Sequence, residues 1–373
     1  MAAATMKDVA ERAGVSTTTV SHVINQTRFV SEENRSKVQE AMKALGYQPN
    51  AIAKSLRQKS TNTIGLMISD IANPFFTSLI RGVEDVANAA GFNLILCNTD
   101  EKPEKEYTYL DVLQQKQVDG VIVAPTGENL DYFEALVDNG FPMVFIDRRL
   151  EGIACPAVLA DNENGSYEAV SHLIGLGHRR IGIVVGLLGV TSTTERLRGY
   201  KKALAEHGLP FDKELVLPGK SKVESGREAA LQLLALNARP SAIFATNNQM
   251  TIGVMRALHE QGVRCPDDMA VVGFDDFEWA SAFRPLLTTV AQPVYDMGRV
   301  AAETLMACIR NKGEAGDKGG AGDKGGAGVT GKADRADAKQ VITLGCTLVV
   351  RESCGAGGAA AATAESIADA GEN

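Results

Sequence analysis

Features that mark secreted, membrane-spanning and metal-binding proteins are largely missing from this sequence. Its 373 residues include six cysteines, none of them in a CxxC pair, which favours reduced thiols over a disulfide or zinc framework. No apolar run approaches the roughly 18 residues that a membrane span needs. The opening residues MAAATM carry neither the basic nor the apolar segment of a secretion signal. We therefore expect a cytoplasmic protein that does not bind membranes.

Signatures of catalysis are missing as well. The chain has no P-loop, no nucleophile elbow and no HExxH motif, so we expect neither an enzyme nor a bound cofactor or metal. The composition is typical of a folded protein, with 45% apolar and 23% charged residues. At this length, two or three domains are expected.

Charge is distributed unevenly along the chain. Residues 1–62 contain nine Lys/Arg and five Asp/Glu, a net charge of +4, whereas the remainder carries −12. A basic head on an acidic body is expected when only the head approaches a polyanion such as DNA.

Three short helices are predicted in the head from their capping residues. Thr5 can cap a helix over 6–13, and Ser16 can open a second helix. Ser31 can cap a third helix, which stops at Gly46. Apolar residues at helical spacing in each segment indicate a small shared core.

The first two of these helices meet at Gly14-Val15, which is the tight spacing of a helix-turn-helix. In that motif, the first side chains of the second helix face the DNA major groove. The run STTTVSH is poor in helix propensity but rich in small hydroxyl groups that hydrogen-bond bases and phosphates. An ordinary capped helix or a strand is the alternative for this run. The predicted DNA-contacting residues here are Ser16, Thr17, Thr18, His22 and Arg28.

Beyond residue 63, apolar strands alternate with helical patterns, which predicts open, mostly parallel α/β sheets. A constant spacing of 117 residues indicates that this core consists of two similar halves. Facing halves of this kind create a ligand cleft at the carboxyl ends of both sheets. The repeated landmarks are Ile64-Gly65 with Ile181-Gly182, Arg81-Gly82 with Arg198-Gly199, and Gly91 with Gly208.

Residues suited to sugar binding follow several of the predicted strands. Aromatic rings pack against the apolar faces of a sugar, while carboxylates, amides and guanidinium groups hydrogen-bond its hydroxyls. Each such residue also has a structural alternative, as a helix cap or a core side chain. The predicted effector-binding residues are Asn73, Phe75, Phe76, Asp147, Arg148, Arg196, Asn247, Asp275 and Gln292.

The stretch MKDVAERAGVSTTTVSHVINQTRFVSEENRSKVQEAMKALGYQPNAIAKSLR (6–57) resembles the DNA-binding head of LacI/GalR-family transcription regulators. Within that family the head is most similar to purine-responsive members, and the core to Ser353 resembles ribose-type periplasmic sugar-binding proteins. The resemblance implies a hinge helix in which Leu56 wedges into the minor groove, with Ala53 and Arg57 beside it. This segment, AIAKSLRQ, is too short for a stable isolated helix, so it should form only with a dimer partner and DNA.

The resemblance also bears on the effector. Val190 and Ser192 stand where purine-responsive members carry base-recognising residues, so this core is not expected to bind a purine. A small sugar is expected instead, and the pair Arg148 and Arg196 leaves a sugar acid open.

Taken together, the sequence predicts a DNA-binding repressor that acts as a homodimer. Its expected partners are a pseudo-palindromic double-stranded operator and a sugar or sugar-acid effector. The alternatives are a regulator with a non-sugar effector, a binding protein for transport, and an enzyme that uses Asp147 and Asp275 as an acid–base pair.

The predicted fold is an all-α helix-turn-helix head plus an α/β core of two open parallel-sheet subdomains around the cleft. Residues 340–353 are expected to form one strand, and the Gly/Lys/Asp-rich stretch 311–339 a disordered insertion. The predicted divisions are the helix-turn-helix domain 1–48, the hinge helix and linker 49–62, the core 63–354 (subdomain 1 about 63–161 plus 292–310, subdomain 2 about 162–291 plus 340–353), and a disordered tail 355–373.

Overall fold

The computed structural model describes residues 4–25, 28–48, 60–318 and 340–356. The chain divides into two compact units, a head over Met1–Asn62 and a core over Thr63–Asn373. Among the described residues, no helix is both long and apolar enough to span a membrane.

The described part of the head contains helices α1 (Met6–Ala13), α2 (Thr17–Asn25) and α3 (Glu32–Leu45). Local hydrogen bonds decide where the first two begin: the Thr5 hydroxyl accepts from the Asp8 amide, and the Ser16 hydroxyl accepts from the Thr19 amide at 3.1 Å. Ser31 precedes α3 as predicted, but its side chain makes no capping hydrogen bond. The helices pack around the fully buried side chains of Val9, Val20 and Val38.

Two glycines end helices of the head as predicted. Gly14 follows α1 and Gly46 follows α3, both in the left-handed conformation that favours glycine. Because Gly14 reverses the chain immediately before Ser16, α1 and α2 are joined by the short turn of a helix-turn-helix.

The described residues of the core form strands β1 Thr63–Ile68, β2 Asn93–Asn98, β3 Gly120–Val123, β4 Met143–Ile146, β5 Ala157–Ala160, β6 Ile181–Val185, β7 Val216–Pro218, β8 Ala242–Ala245, β9 Ala270–Phe274, β10 Thr288–Ala291, β11 Val341–Leu344 and β12 Thr347–Val349. These strands form two six-stranded sheets with the same strand order. The first half of the core carries the order β11-β5-β4-β3-β1-β2, and the second half the order β12-β10-β9-β8-β6-β7. All paired strands are parallel except β12, which runs antiparallel to β10.

Helices cover both faces of each sheet, so most strands are buried on both sides. The chain crosses between the halves after β5, after β10 and between β11 and β12. Within the described residues, the helices of the core are α4 Pro74–Ala89, α5 Pro103–Gln115, α6 Leu130–Asp138, α7 Asn162–Gly175, α8 Thr191–Glu206, α9 Val223–Ala235, α10 Asn248–Glu260 and α11 Val294–Lys318, with 3₁₀ turns at Lys213–Leu215 and Glu278–Ala282.

The predicted duplication of the core is confirmed by the matching strand orders, and close helix packing explains one of its landmarks. Gly82 lies where α4 meets α11, and a Cβ atom there would stand 2.2 Å from the Tyr295 carbonyl oxygen. Gly199 lies where α8 meets α7, and its Cβ would stand 2.1 Å from the Glu163 carbonyl oxygen. Each half therefore needs a glycine at the same place because two helix backbones touch there.

The prediction of one strand over 340–353 is wrong. The segment forms two short strands, β11 in the first sheet and β12 in the second, so its start does not belong to the second subdomain. An apolar pattern signals an extended chain but does not show that the chain changes sheets halfway. The break falls at Gly345-Cys346.

The stretch 311–339 also begins differently from the prediction, because α11 continues through it as far as Lys318. A helix that is already anchored by buried residues such as Ala301 and Leu305 extends more readily than a new one nucleates. Residues 319–339 lie outside the described residues, as do residues 357–373 of the predicted tail.

Candidate functional site

A pocket lies between the two halves of the core, at the carboxyl ends of both sheets. It encloses about 570 Å³ of space, counting the part that opens to solvent. Eight of the nine predicted effector residues line it: Asn73, Phe75, Phe76, Asp147, Arg148, Arg196, Asn247 and Asp275. The ninth, Gln292, stands behind the pocket, where its side-chain amide donates to the Asp275 carboxylate.

Asp147 and Asp275 occupy equivalent positions directly after β4 and β9. Both have the left-handed backbone conformation, with φ of 66° and 69°, and both are buried. Burial raises the pKa of Asp275, against the opposing effect of the nearby Arg196 charge. A strained backbone at both repeats of one position is typical of a site that orients side chains towards a ligand.

The same correspondence appears after β2 and β7. Asp100 and Glu101 are consecutive residues with positive φ, and so are Lys220 and Ser221. The first pair is acidic, whereas the second contributes a lysine. Glu101 of the first pair and Ser221 of the second line the pocket, so each half presents strained backbone to it, one with a charged side chain and one with an uncharged side chain.

Arg196 is fixed by hydrogen bonds to the protein, and part of its guanidinium group faces the pocket. Its Nε donates to Asn162 Oδ1 at 2.8 Å, and Nη1 donates to the Thr246 carbonyl oxygen at 2.7 Å. The guanidinium carbon lies 3.9 Å from the centre of the Phe274 ring. Its Nη2 stands 3.9 Å from Asp275 Oδ1, so a donor and an acceptor lie side by side in the pocket.

Arg148, on the opposite wall, is paired differently. Glu101 accepts two hydrogen bonds from it, Nη1 to Oε2 at 2.8 Å and Nη2 to Oε1 at 2.9 Å. Its Nε donates to Asp147 Oδ2 at 3.2 Å. This guanidinium is therefore neutralised within the protein.

Three pairs of residues make polar contacts between the halves. The Lys222 ammonium contacts the Asp70 carboxylate. The Asn248 side-chain amide donates to Asn73 Oδ1 at 2.8 Å, and the Arg149 backbone amide donates to the Thr191 hydroxyl at 3.1 Å. The two halves are thus in contact around the pocket.

Three charged residues of the pocket were missed by sequence reasoning: Asp70, Glu101 and Lys222. Each lies a few residues beyond the end of a strand, namely β1, β2 or β7. The rule that ligands bind at the carboxyl ends of parallel strands could have found them. Their side chains are recognisable as pocket residues only once the strands are ordered in the sheets.

The predicted DNA-contacting residues of the head lie at the start of α2 and just beyond its end. Thr17, Thr18 and Arg28 are exposed, and His22 is half-buried one turn after Thr18 on the same face. The Ser16 hydroxyl is also exposed, but it is already engaged as the helix cap. The remaining three, Ala53, Leu56 and Arg57, lie outside the described residues.

A helix-turn-helix head followed by two facing α/β halves defines a DNA-binding protein with a ligand-binding core. Residues 5–50 match the bacterial regulatory proteins of the lacI family. Residues 61–319 match the periplasmic binding proteins and sugar-binding domain of the LacI family. The chain belongs to the LacI family of DNA-binding transcriptional repressors.

Individual relatives agree with this assignment. The HTH-type transcriptional repressor PurR of Photobacterium profundum is 41% identical over 310 residues, covering 83% of this chain and 93% of that protein. The HTH-type transcriptional regulator DegA of Bacillus subtilis is 39% identical over 314 residues, with the same coverage. These relatives are transcription regulators and not enzymes.

Solved structures give the same result for the fold. The lac repressor dimer bound to operator and the anti-inducer ONPF superposes with a TM-score of 0.78 at 28% identity, covering 95% of this chain and 99% of that one. The complex of the transcriptional regulator CelR with cellobiose gives a TM-score of 0.66 at 31% identity, covering 94% and 99%. The predicted fold class and family are therefore confirmed.

Proposed function

We propose that this repressor binds a pseudo-palindromic operator as a homodimer and that a small sugar in the core pocket controls its operator affinity. The observation that carries the proposal is the pocket itself, which draws polar side chains from both halves of the core. A ligand bound there contacts both halves at once, so it can change their relative arrangement.

The chemistry of the pocket suits a sugar because donors and acceptors alternate with aromatic surface. Asp275 supplies an acceptor for ring hydroxyls. Arg196 and the side-chain NH2 group of Asn247 supply donors, since Asn247 Oδ1 already accepts from the Met250 amide. Phe75 and Phe76, with ring centres 5.0 Å apart and planes perpendicular, supply apolar surface. The sugar found in the CelR–cellobiose complex lends support from a related protein.

On the DNA side, we propose that two heads enter successive major grooves of the operator. Thr17, Thr18 and His22 are the proposed base readers, and Arg28 a phosphate or base contact. Ser16 is given a different role from the sequence prediction: because its hydroxyl caps α2, it sets the start of the reading helix. The hinge contacts of Leu56 and its neighbours remain a prediction.

Effector control is proposed to act through the cleft. Closure around a sugar rotates the two halves, which alters the spacing of the hinge segments in the dimer and biases their helix-to-coil equilibrium. A coupling free energy of about 1–3 kcal/mol is expected between the two sites.

The protein is proposed to act in the cytoplasm, where its DNA is, and not as an enzyme. Asp147 is engaged by Arg148 at 3.2 Å, and Asp275 by Gln292 and Arg196. These partners favour binding roles for both carboxylates over the acid–base pair of the enzymatic alternative.

The test is a gel-shift assay of the full chain on its own upstream DNA, together with a thermal-shift screen. The screen includes neutral sugars, sugar acids and a purine base, since only ligands of the native state raise its melting temperature. A sugar that both stabilises the protein and changes operator affinity is expected. Absence of binding to any palindromic site at moderate salt, turnover of a sugar, or a response to the purine alone contradicts the proposal.

A further inference from the structure

We propose that Glu101 is a specificity-determining residue of the core pocket. By occupying the Arg148 guanidinium, it restricts the pocket to uncharged, hydroxyl-rich ligands and excludes sugar acids. This inference rests on the proposed function, because it names the ligand class of the same pocket.

Arg148 has no donor left for a ligand. A guanidinium group carries five N–H bonds in a fixed fork. Two go to Glu101 and one to Asp147. The other two point to the Ser69 hydroxyl at 3.4 Å and the Pro125 carbonyl oxygen at 3.5 Å. A ligand carboxylate that approached Arg148 would therefore have to displace an existing partner.

The charge balance of the pocket also disfavours an anionic ligand. Its lining includes the acidic Asp70, Glu101, Asp147 and Asp275, against the basic Arg148, Arg196 and Lys222. Lys222 is paired with Asp70, and Arg196 faces Asp275. Each cation of the lining thus has its own carboxylate. An anionic ligand would meet one surplus negative charge among side chains that are largely buried, which is unfavourable.

Glu101 is held in place as a carboxylate. Burial by itself would raise its pKa, but the charge and hydrogen bonds of Arg148 outweigh burial, and the pKa is lowered. Its backbone adopts φ of 59°, a conformation that costs free energy in any residue other than glycine. The strained backbone conformation thus occurs at Glu101, the residue that neutralises Arg148.

The test compares matched ligands on the full chain: glucose with glucuronate, galactose with galacturonate, and inorganic phosphate as a small anion. Binding is measured by calorimetry and by the shift in melting temperature. The wild type should prefer the neutral member of each pair that binds and show no stabilisation by phosphate. In Glu101→Gln, which preserves side-chain size, the preference should move towards the acid by at least about tenfold, because a charged hydrogen bond becomes available. Phosphate should then stabilise the variant.

Asp268→Asn is the matched control. Asp268 also holds an arginine with two hydrogen bonds, from Arg264 Nε at 2.9 Å and Nη2 at 2.8 Å. It lies just before β9, at the end of the sheet opposite the pocket. This variant removes the same charge from the chain and should leave ligand preference unchanged. Glu101→Ala serves as the second variant if the glutamine variant does not fold.

The outcomes separate this inference from the proposed function. If neutral sugars bind but Glu101→Gln leaves the preference unchanged, the inference fails and the proposed function stands. If the wild type prefers the acids, or if Asp268→Asn causes the same shift, the inference also fails. If no sugar or sugar acid in the thermal-shift screen binds, the sugar effector is refuted. In that case, comparing the stabilisation of the wild type and of Glu101→Gln by phosphate still decides whether Glu101 prevents anions from binding Arg148.

Discussion

The ion pair across the cleft gives a direct test of how the two halves close. Lys222 contacts Asp70 from the opposite half, and their side chains are 45% and 17% exposed. Lys105 makes the same kind of contact with Asp100, but entirely within the first half, with exposures of 40% and 38%. Lys222→Met should therefore weaken closure, whereas Lys105→Met removes a similar ion pair without affecting it.

The expected effect is modest, because ion pairs that solvent reaches contribute about 0.2–1 kcal/mol. If that free energy is present only in the closed state, Lys222→Met should weaken effector binding by about 1.4-fold to fivefold. The effect should shrink at about 0.5 M salt, where charges are screened over a few ångströms.

The assay can use Trp279, the only tryptophan of the chain. It lies four residues beyond Asp275, is half exposed, and packs edge-on against Phe277 with ring centres 5.5 Å apart. Its fluorescence should follow effector titrations at low and high salt.

Lys222 also lines the pocket, so direct contact with the ligand has to be separated from closure. Asp70→Asn should cause a similar loss, and the double variant should lose little more than either single variant. Additive losses, equal losses for Lys222→Met and Lys105→Met, or an effect independent of salt would refute the reasoning.

Three further predictions address stability and the division of labour between the units. Because burial raises the pKa of Asp275, its carboxyl group binds a proton more tightly in the folded protein than in the unfolded chain. The ionised form of Asp275 therefore lowers the free energy of unfolding at neutral pH. Asp275→Asn should therefore raise the melting temperature of the ligand-free protein at pH 7, with a smaller gain as the pH falls through the folded-state pKa, and should abolish the sugar response. Gly199→Ala should lower the free energy of unfolding by about 1–3 kcal/mol because the added Cβ would clash with the Glu163 carbonyl oxygen. Gly175→Ala should cause no such loss because the space around Gly175 is open. Chemical denaturation of the two variants measures the difference. Leu56→Ala should weaken operator binding in gel shifts while leaving sugar affinity unchanged; equal loss of both would contradict separate roles.

Several of the predicted effector residues line one pocket because they directly follow apolar strands. Asp147 and Asp275 are examples, since each ends a run that could only be a buried strand. Gln292 directly follows β10, as expected, but it does not line the pocket. Its side-chain amide donates to Asp275, which does. The hydrophobic pattern shows where a strand ends, but not how far its next side chain reaches.

What the sequence determined by itself is local or repeated. The caps at Thr5 and Ser16 depend on hydrogen bonds to residues three positions away, and the duplicated glycines recur at one spacing. Tertiary structure alone decided which charges neutralise each other. Glu101 forms an ion pair with Arg148, which is 47 positions away in the sequence, and Lys222 forms one with Asp70, 152 positions away. Such pairs depend on how the strands are ordered in the two sheets and on how the sheets face each other. In the sequence, Arg148 and Arg196 together suggested a sugar acid. In the structure, Arg148 is neutralised by Glu101, and only Arg196 faces the pocket with part of its guanidinium group.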